Sequence, residues 1–105
     1  MLRITIQPKS TATVLVLEGR LSGEWVNELR RVCRATPKSP GGNTLVVSLT
    51  DVSIIDDEGR RLLIELHSDG VELFGTGVAT RALIEDIRRA AAVDGLEGSA
   101  PLKRL

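Results

Sequence analysis

One stretch limits the fold of this chain more than any other, the run LVVSLTDVSIIDDEGRRLLIEL from Leu45 to Leu66. Its first half is an apolar run with the length of a buried strand, and its second half repeats leucines at helical spacing. A strand that leads straight into a helix, with further strands along the chain, favours parallel strand pairing through right-handed crossovers. The stretch therefore predicts an α/β fold.

The segments on either side extend this pattern. The opening LRITIQ alternates apolar and polar residues, as an edge strand does, and the run TVLVLEGRL favours a central strand covered on both faces. The short connection between them indicates an antiparallel hairpin. Ser22 is the expected N-cap of the first helix, and VELFG is the expected fourth strand.

The last strong pattern is the helix VATRALIEDIRRAAAV, in which we expect one buried stripe formed by Ala79, Leu83, Ile87 and Ala90 or Ala91. The full order is β-β-α-β-α-β-α. We expect a four-stranded mixed sheet with the helices packed mainly on one face, formed by residues 1–96. After Val93 the periodicity ends, and residues 97–105 are expected to be a C-terminal tail.

Composition excludes several classes of function. Aromatic residues make up only 2% of the 105 residues, so the chain has no stacking platforms for reading nucleic-acid bases. The 14 Lys and Arg residues balance the 14 Asp and Glu residues, and no overall field attracts polyanions or a membrane surface. The single Cys33 suits a reducing compartment, and neither a signal peptide nor the roughly 18 apolar residues of a membrane helix are present. We expect a cytoplasmic protein without nucleic-acid binding or membrane insertion.

Three consecutive acids, Asp56, Asp57 and Glu58, stand where the buried strand meets its helix. A helix N-terminus has unpaired N–H groups and a partial positive charge, so an N-cap Asp followed by acids in the first turn stabilises it. Arg60 and Arg61 follow Asp57 at i+3 and i+4, where they can neutralise part of its charge. Helix capping therefore accounts for the acids without catalysis.

The same acids leave other interpretations open. A Mg²⁺ site needs several converging ligands, whereas adjacent acids at a helix start point in different directions. A pair of glycosidase carboxylates needs a substrate cleft that a domain of this size hardly offers. His67 has no Ser or Cys partner spaced for a triad, and the GTG turn is too short for a phosphate loop. We expect no enzyme activity and no cofactor, and keep a metal-dependent enzyme using Asp56, Asp57 and Glu58 as an alternative.

The order and spacing of the segments resemble a STAS domain, the domain of anti-sigma factor antagonists, over residues 2–96. The resemblance lies in VLVLEGRL, in LVVSLTDVSIIDDEG with the helix after it, and in VELFGTGVATRALIEDI. In that family the loop before the second helix has the form Asp-Ser-Ser-Gly or a close variant. Asp56 matches the Asp of that loop and Gly59 its Gly. Asp57 matches the serine or threonine that a partner kinase phosphorylates, and Glu58 matches the second serine.

The departure from the family's loop implies an acidic switch loop that cannot be phosphorylated, because no hydroxyl remains in it and Ser53 lies too early. A fixed charge at Asp57 either imitates the phosphorylated state or serves a different partner with a basic patch, and we favour the second.

The resemblance implies a non-catalytic protein–protein interaction module in bacterial signalling, similar to anti-sigma factor antagonists. Its partner is then an anti-sigma factor or serine kinase-like ATPase. In a second interpretation the chain is a STAS subunit of a lipid-type ABC transporter and binds its ATPase. A homodimer is also compatible with the fold. The expected contact residues are Asp56, Asp57, Glu58, Gly59, Arg60 and Arg61, with Trp25 and Thr76 as further candidates.

Overall fold

The structure is a computed structural model that describes residues 1–36 and 44–103, with side chains as far as residue 92. Seven elements follow one another: β1 (Leu2–Pro8), β2 (Ala12–Leu21), α1 (Glu24–Ala35), β3 (Thr44–Ile55), α2 (Asp57–Ser68), β4 (Glu72–Phe74) and α3 (Val78–Lys103). The strands form one sheet in the order β1-β2-β3-β4, with β1 antiparallel to β2 and the other two pairs parallel. The predicted α/β class, element order and mixed sheet are confirmed.

Alternate residues of the two central strands build the core on one face of the sheet. Leu15 and Leu17 of β2 and Val47 and Leu49 of β3 are buried, whereas Val16 between the two leucines is only half-buried. The helices pack on the buried face, as predicted. The expectation that β2 is covered on both faces is wrong. A continuous run of Val and Leu indicates a strand, but it does not show whether one or both faces of that strand are covered.

Leucine, isoleucine and valine fill the space between this face and the helices. The buried helix residues are Val26 and Leu29 of α1, Leu62, Leu63 and Leu66 of α2, and Ile84, Ile87 and Ala91 of α3. Of the predicted stripe of α3, Ile87 and Ala91 are buried, whereas Leu83 is half-buried and Ala79 is exposed. Ala79 lies beside the far end of β3 and not above the paired part of the sheet, so no core layer covers it.

Two helix boundaries differ from the sequence-based expectation. α1 begins after Gly23, whose φ is 58°, and not after Ser22, and no hydrogen bond from a capping side chain of its own forms there. α3 continues to Lys103, so the predicted boundary between residues 1–96 and 97–105 falls inside a helix. The division into a domain and a tail stays a prediction. None of the helices in the described ranges combines the length and hydrophobicity that a bilayer crossing requires.

Candidate functional site

Asp56 joins the beginnings of two helices. One carboxylate oxygen, Oδ1, accepts a hydrogen bond of 2.8 Å from the backbone N–H of Gly59, which caps α2. The other, Oδ2, accepts a hydrogen bond of 3.0 Å from the backbone N–H of Gly23 at the start of α1. The backbone N–H of Asp56 donates to the carbonyl of Leu21 at the end of β2, over 3.2 Å. The predicted capping role is confirmed, and one side chain also supplies the cap that α1 lacks.

These hydrogen bonds favour the charged form of Asp56. The N–H of Gly23 has the largest effect, followed by that of Gly59, and together they hold the pKa of the Asp56 carboxyl below its ordinary value. A carboxyl group with a lowered pKa stays ionised near neutral pH, so it has no proton to donate and accepts one poorly. Asp56 is therefore an anion with a structural role, and interactions of this loop with other molecules depend on the residues beside it.

Gly59 lies where α2 approaches the end of β2 most closely. An added Cβ would stand 2.6 Å from the carbonyl oxygen of Leu21 and 3.1 Å from Cγ2 of Ile55. Gly59 is buried, and its φ is not in the positive region, so space and not backbone conformation requires glycine here. Asp56 and Gly59 thus position the loop, and their contact with a partner stays a prediction.

The charged residues that follow are unequally neutralised. Arg61 donates to Glu58 over 2.8 Å on the surface of α2, and Arg60 reaches across to Asp86 of α3 over 3.1 Å. The expectation that these arginines neutralise Asp57 is wrong, because each has a closer acidic partner. Asp57 is exposed, and its carboxylate has no hydrogen bond or ion pair within residues 1–36 and 44–92.

The Arg60–Asp86 ion pair links α2 to α3, and its energy can be measured. Its side chains are 40% and 54% exposed, so water screens the attraction. We expect a coupling free energy of about 0.2–1 kcal/mol from a double-mutant cycle with Arg60→Ala and Asp86→Ala in urea unfolding. The Arg31–Glu28 pair within α1 is the control for a pair that joins no elements. A coupling above about 2 kcal/mol would mean that the pair holds the two helices together.

The remaining predicted contact residues lie at the same end of the sheet. Trp25 is in the first turn of α1, next to the Gly23 that Asp56 holds, and is half-buried against the core. Thr76 is exposed in the connection between β4 and α3, and its N–H donates to Oγ1 of Thr50 on β3 over 3.1 Å. Trp25 therefore borders the acidic loop, whereas Thr76 lies beside Thr50, six residues before Asp56 on a strand that rises about 3.3 Å per residue. Their role in contact stays a prediction.

The acidic loop shows no arrangement that suits a metal ion. Across the described part of the chain, no three ligand side chains come together as a metal site requires. Both oxygens of Asp56 already accept backbone N–H groups. His67 lies about 15 Å further along α2, with its Nδ1 buried and without a hydrogen-bond partner. The metal-dependent alternative therefore has no geometric support.

An apolar groove beside the end of β3 was not predicted from the sequence. β4 pairs with β3 only through Val46–Ser48, whereas β3 continues to Ile55. The unpaired length of β3 faces the first turns of α3 across a groove of about 250 Å³. We call this the β3 groove; its lining residues are Val52, Ser53, Ile54, Ile55, Ala79, Thr80 and Leu83. The sequence carried no signal for it, because the lengths of β3 and β4 and their register are properties of the folded sheet.

Comparisons with known proteins find similar solved structures, two of which are described below. No model of a protein family matches this chain, and no curated protein does either. A solved structure described as Mglu is 26% identical over 70% of this chain, with a TM-score of 0.55. This chain covers 19% of that protein, so it spans about a fifth of the neighbour's length.

The second neighbour is an uncharacterised protein of the DUF3478 family from Shewanella loihica PV-4, described as having a SpoIIAA-like fold. It is 15% identical to this chain, with 74% of this chain and 69% of that protein aligned and a TM-score of 0.46.

Proposed function

We propose that this chain is a non-catalytic, STAS-type interaction module that works in the bacterial cytoplasm, similar to an anti-sigma factor antagonist. One observation carries the proposal: Asp57 is the acid of the loop whose exposed carboxylate no other described side chain neutralises. Asp56 and Glu58 on either side of it are held by Gly23, Gly59 and Arg61. Asp57 is therefore the group of this loop that remains for a partner.

The negative charge at position 57 does not depend on a kinase. A phosphoserine at this position would carry about −1.5 to −2 charges, and a phosphatase could remove its phosphate group, whereas the carboxyl group of an aspartate belongs to the side chain itself. Ser53, the nearest hydroxyl before the loop, lies within β3 and donates to the carbonyl of Gly19 over 3.1 Å. A module with this loop is not switched by phosphorylation at the position of Asp57, and its binding is expected to be constitutive.

The expected partner has a basic patch opposite the start of α2. Arg60 and Arg61 belong to ion pairs, so the unbalanced charge in the first turn of α2 is the negative charge of Asp57. Charge complementarity across an interface raises the association rate and excludes partners with the same charge. An anti-sigma factor or serine kinase-like ATPase is the partner that the STAS resemblance implies.

Affinity capture with a charge-reversed variant tests the proposal. The purified chain and its Asp57→Lys variant are immobilised and exposed to extract of the source cells, and captured proteins are quantified by mass spectrometry. We expect the unchanged chain to capture an ATPase of the serine kinase-like class and Asp57→Lys to retain about tenfold less, because reversing one contact charge costs about 1.4 kcal/mol or more. Glu72→Lys, an equally exposed charge reversal on β4, is the control and should capture the same amount as the unchanged chain.

Three results would contradict the proposal. Equal capture by the Asp57→Lys variant would remove Asp57 from the interface. Transfer of phosphate from ATP to Ser53 by the captured ATPase would replace a fixed charge with a switched one. A saturable change in Trp25 fluorescence with Mg²⁺ or Mn²⁺, abolished by Asp57→Asn, would favour the metal-dependent alternative. Capture of a transporter ATPase instead, with the same dependence on Asp57, would support an interaction module that belongs to an ABC transporter and not to a sigma-factor pathway.

A further inference from the structure

The projecting end of β3 has an open edge. β2 pairs with one side of β3 as far as Ile55, but β4 pairs with the other side only at Val46–Ser48. Beyond these residues, the N–H of Thr76 donates a hydrogen bond to Oγ1 of Thr50 on that side of β3. Within the described residues, no backbone hydrogen bond joins the Val52–Ile55 segment to a strand on this side. An edge with unpaired N–H and C=O groups is a template for a further strand.

Apolar side chains border this edge on two sides. Ile54 is 47% exposed on β3, and Val78 at the start of α3 is 88% exposed. Ala79 and Leu83 form the wall of the β3 groove that faces the strand. The four residues Val52–Ile55 span about 13 Å, since a strand rises about 3.3 Å per residue. The β3 groove is thus as long as a short extended segment, and its lining is apolar apart from Ser53 and Thr80.

Acidic residues stand at both ends of this length. Asp51 precedes it and Asp57 follows it, and both are exposed without an ion pair in the part of the chain that the structure describes. A second copy of the chain, pairing edge to edge, would bring its own Asp51 and Asp57 to the same place. Four carboxylates would then face one another without compensation, and like charges on adjacent strands are destabilising.

We propose that the β3 groove binds an extended segment of the partner protein, which adds a strand to the edge of β3 at Val52–Ile55. Alternate residues of this segment are apolar and β-branched, and basic residues flank them, opposite Asp51 and Asp57. Backbone hydrogen bonds supply most of the affinity in this mode of recognition, and the apolar pockets supply the specificity. The inference rests on the proposed function, because it describes how the partner of the acidic loop is held.

A display library of random dodecapeptides, selected on the intact chain, is the probe. We expect enriched peptides to contain alternating Val, Ile or Thr residues flanked by Lys or Arg. A synthetic peptide of the enriched sequence should slow amide hydrogen exchange at Val52–Ile55 by about tenfold or more, because an added strand protects the edge. Its affinity should fall about tenfold in the variant Ile54→Glu, because a charge on the edge opposes strand addition.

The chain offers a matched control for this variant. Ile6 on the edge strand β1 is 51% exposed, close to Ile54, so Ile6→Glu introduces the same charge at a different edge. The peptide should bind Ile6→Glu as tightly as the unchanged chain. If Ile54→Glu fails to fold, Ala79→Arg fills the β3 groove from the exposed wall of α3 and should have the same effect.

The other outcomes overturn either the inference or the proposed function, and each can be told from the others. Enriched peptides without the expected pattern, equal affinity for Ile54→Glu, or unchanged exchange at Val52–Ile55 would exclude strand addition. Self-association of the unchanged chain in light scattering, lost in Ile54→Glu, would assign the β3 groove to a second copy. Capture of the partner that depends on Asp57 but not on Ile54 would reject the groove and keep the proposed function. If the peptide bound at the β3 groove but capture of the partner did not depend on Asp57, the proposed function would be rejected and the β3 groove would remain a binding site.

Discussion

Replacing Gly59 with alanine is expected to lower the free energy of unfolding by about 2 kcal/mol. The added methyl group would lie 2.6 Å from the carbonyl oxygen of Leu21, which also accepts the backbone N–H of Asp56. A clash with a strand backbone is not relieved by turning a side chain, so its cost lies near the upper end for overpacking, about 3 kcal/mol. Alanine is the better helix former by about 1 kcal/mol, which offsets only part of that cost.

Urea unfolding followed by circular dichroism measures this difference, and the melting temperature should fall by about 10 °C. Glu58→Ala, at the adjacent exposed position, is the control and should cost no more than about 1 kcal/mol, for the lost pair with Arg61. Gly59→Val should be worse than Gly59→Ala, because the clash grows with size. An alanine variant as stable as the unchanged chain would show that α2 can move away from β2 without cost.

Local patterns were sufficient to predict the elements and the direction of each strand pair. Strand and helix periods in the sequence depend on residues two to four apart, and the short hairpin connection and the intervening helices determine antiparallel and parallel pairing. The cap at Asp56 is equally local, because the Gly59 N–H that it accepts lies three residues further on. The Glu58–Arg61 ion pair has the same spacing. Features of this kind require no knowledge of the tertiary structure.

The contacts that define the site are long-range, and local patterns could not predict them. The hydrogen bond from Gly23 to Asp56 joins residues 33 apart, and the ion pair of Arg60 with Asp86 joins residues 26 apart. Without them, Ser22 was the natural cap for the first helix, and Asp57 was the natural partner for Arg60. The interaction that neutralised Arg60 across the helices is also what left Asp57 unpaired.

The β3 groove depends on where one strand ends relative to its neighbour. The sequence contains an apolar pattern that continues through Ile54 and Ile55, but only the register with β4 shows that these residues lack a strand beside them. The exposure of Ala79 has the same cause, since the first turn of α3 lies over this uncovered end. Strand register and helix placement are tertiary properties, so the groove became visible only in the structure.

Replacing Asp56 with asparagine is expected to lower the melting temperature at neutral pH by roughly 5–10 °C. The carboxylate accepts one N–H from Gly23 and one from Gly59, whereas the asparagine side chain has a single acceptor oxygen and would turn its NH₂ group toward one of these donors. The starts of α1 and α2 would then no longer share a cap. Thermal unfolding followed by circular dichroism measures the difference between the two proteins.

The difference in melting temperature between the unchanged chain and Asp56→Asn should decrease as the pH falls. Because the folded state holds the pKa of Asp56 below the ordinary aspartate value of about 3.9, the unfolded chain binds the proton first as the pH falls. The stabilisation is therefore complete above about pH 5 and is lost as the pH falls through the lowered pKa of the folded state. The gap between the unchanged chain and Asp56→Asn should accordingly narrow below about pH 4.

Asp57→Asn is the matched control for this prediction, because it removes the same charge at the next residue, where the carboxylate has no partner among the described residues. Its melting temperature should stay close to that of the unchanged chain at every pH, apart from a small effect of the helix dipole. A difference in melting temperature between the unchanged chain and Asp56→Asn that stays constant between about pH 3 and 7 would contradict the prediction. It would show that the hydrogen bonds from the two N–H groups stabilise the fold equally with a charged and an uncharged Asp56. If both variants lowered the melting temperature equally, the negative charge at the start of α2 would account for the stabilisation. The hydrogen bonds by which Asp56 joins α1 and α2 would then add nothing to it.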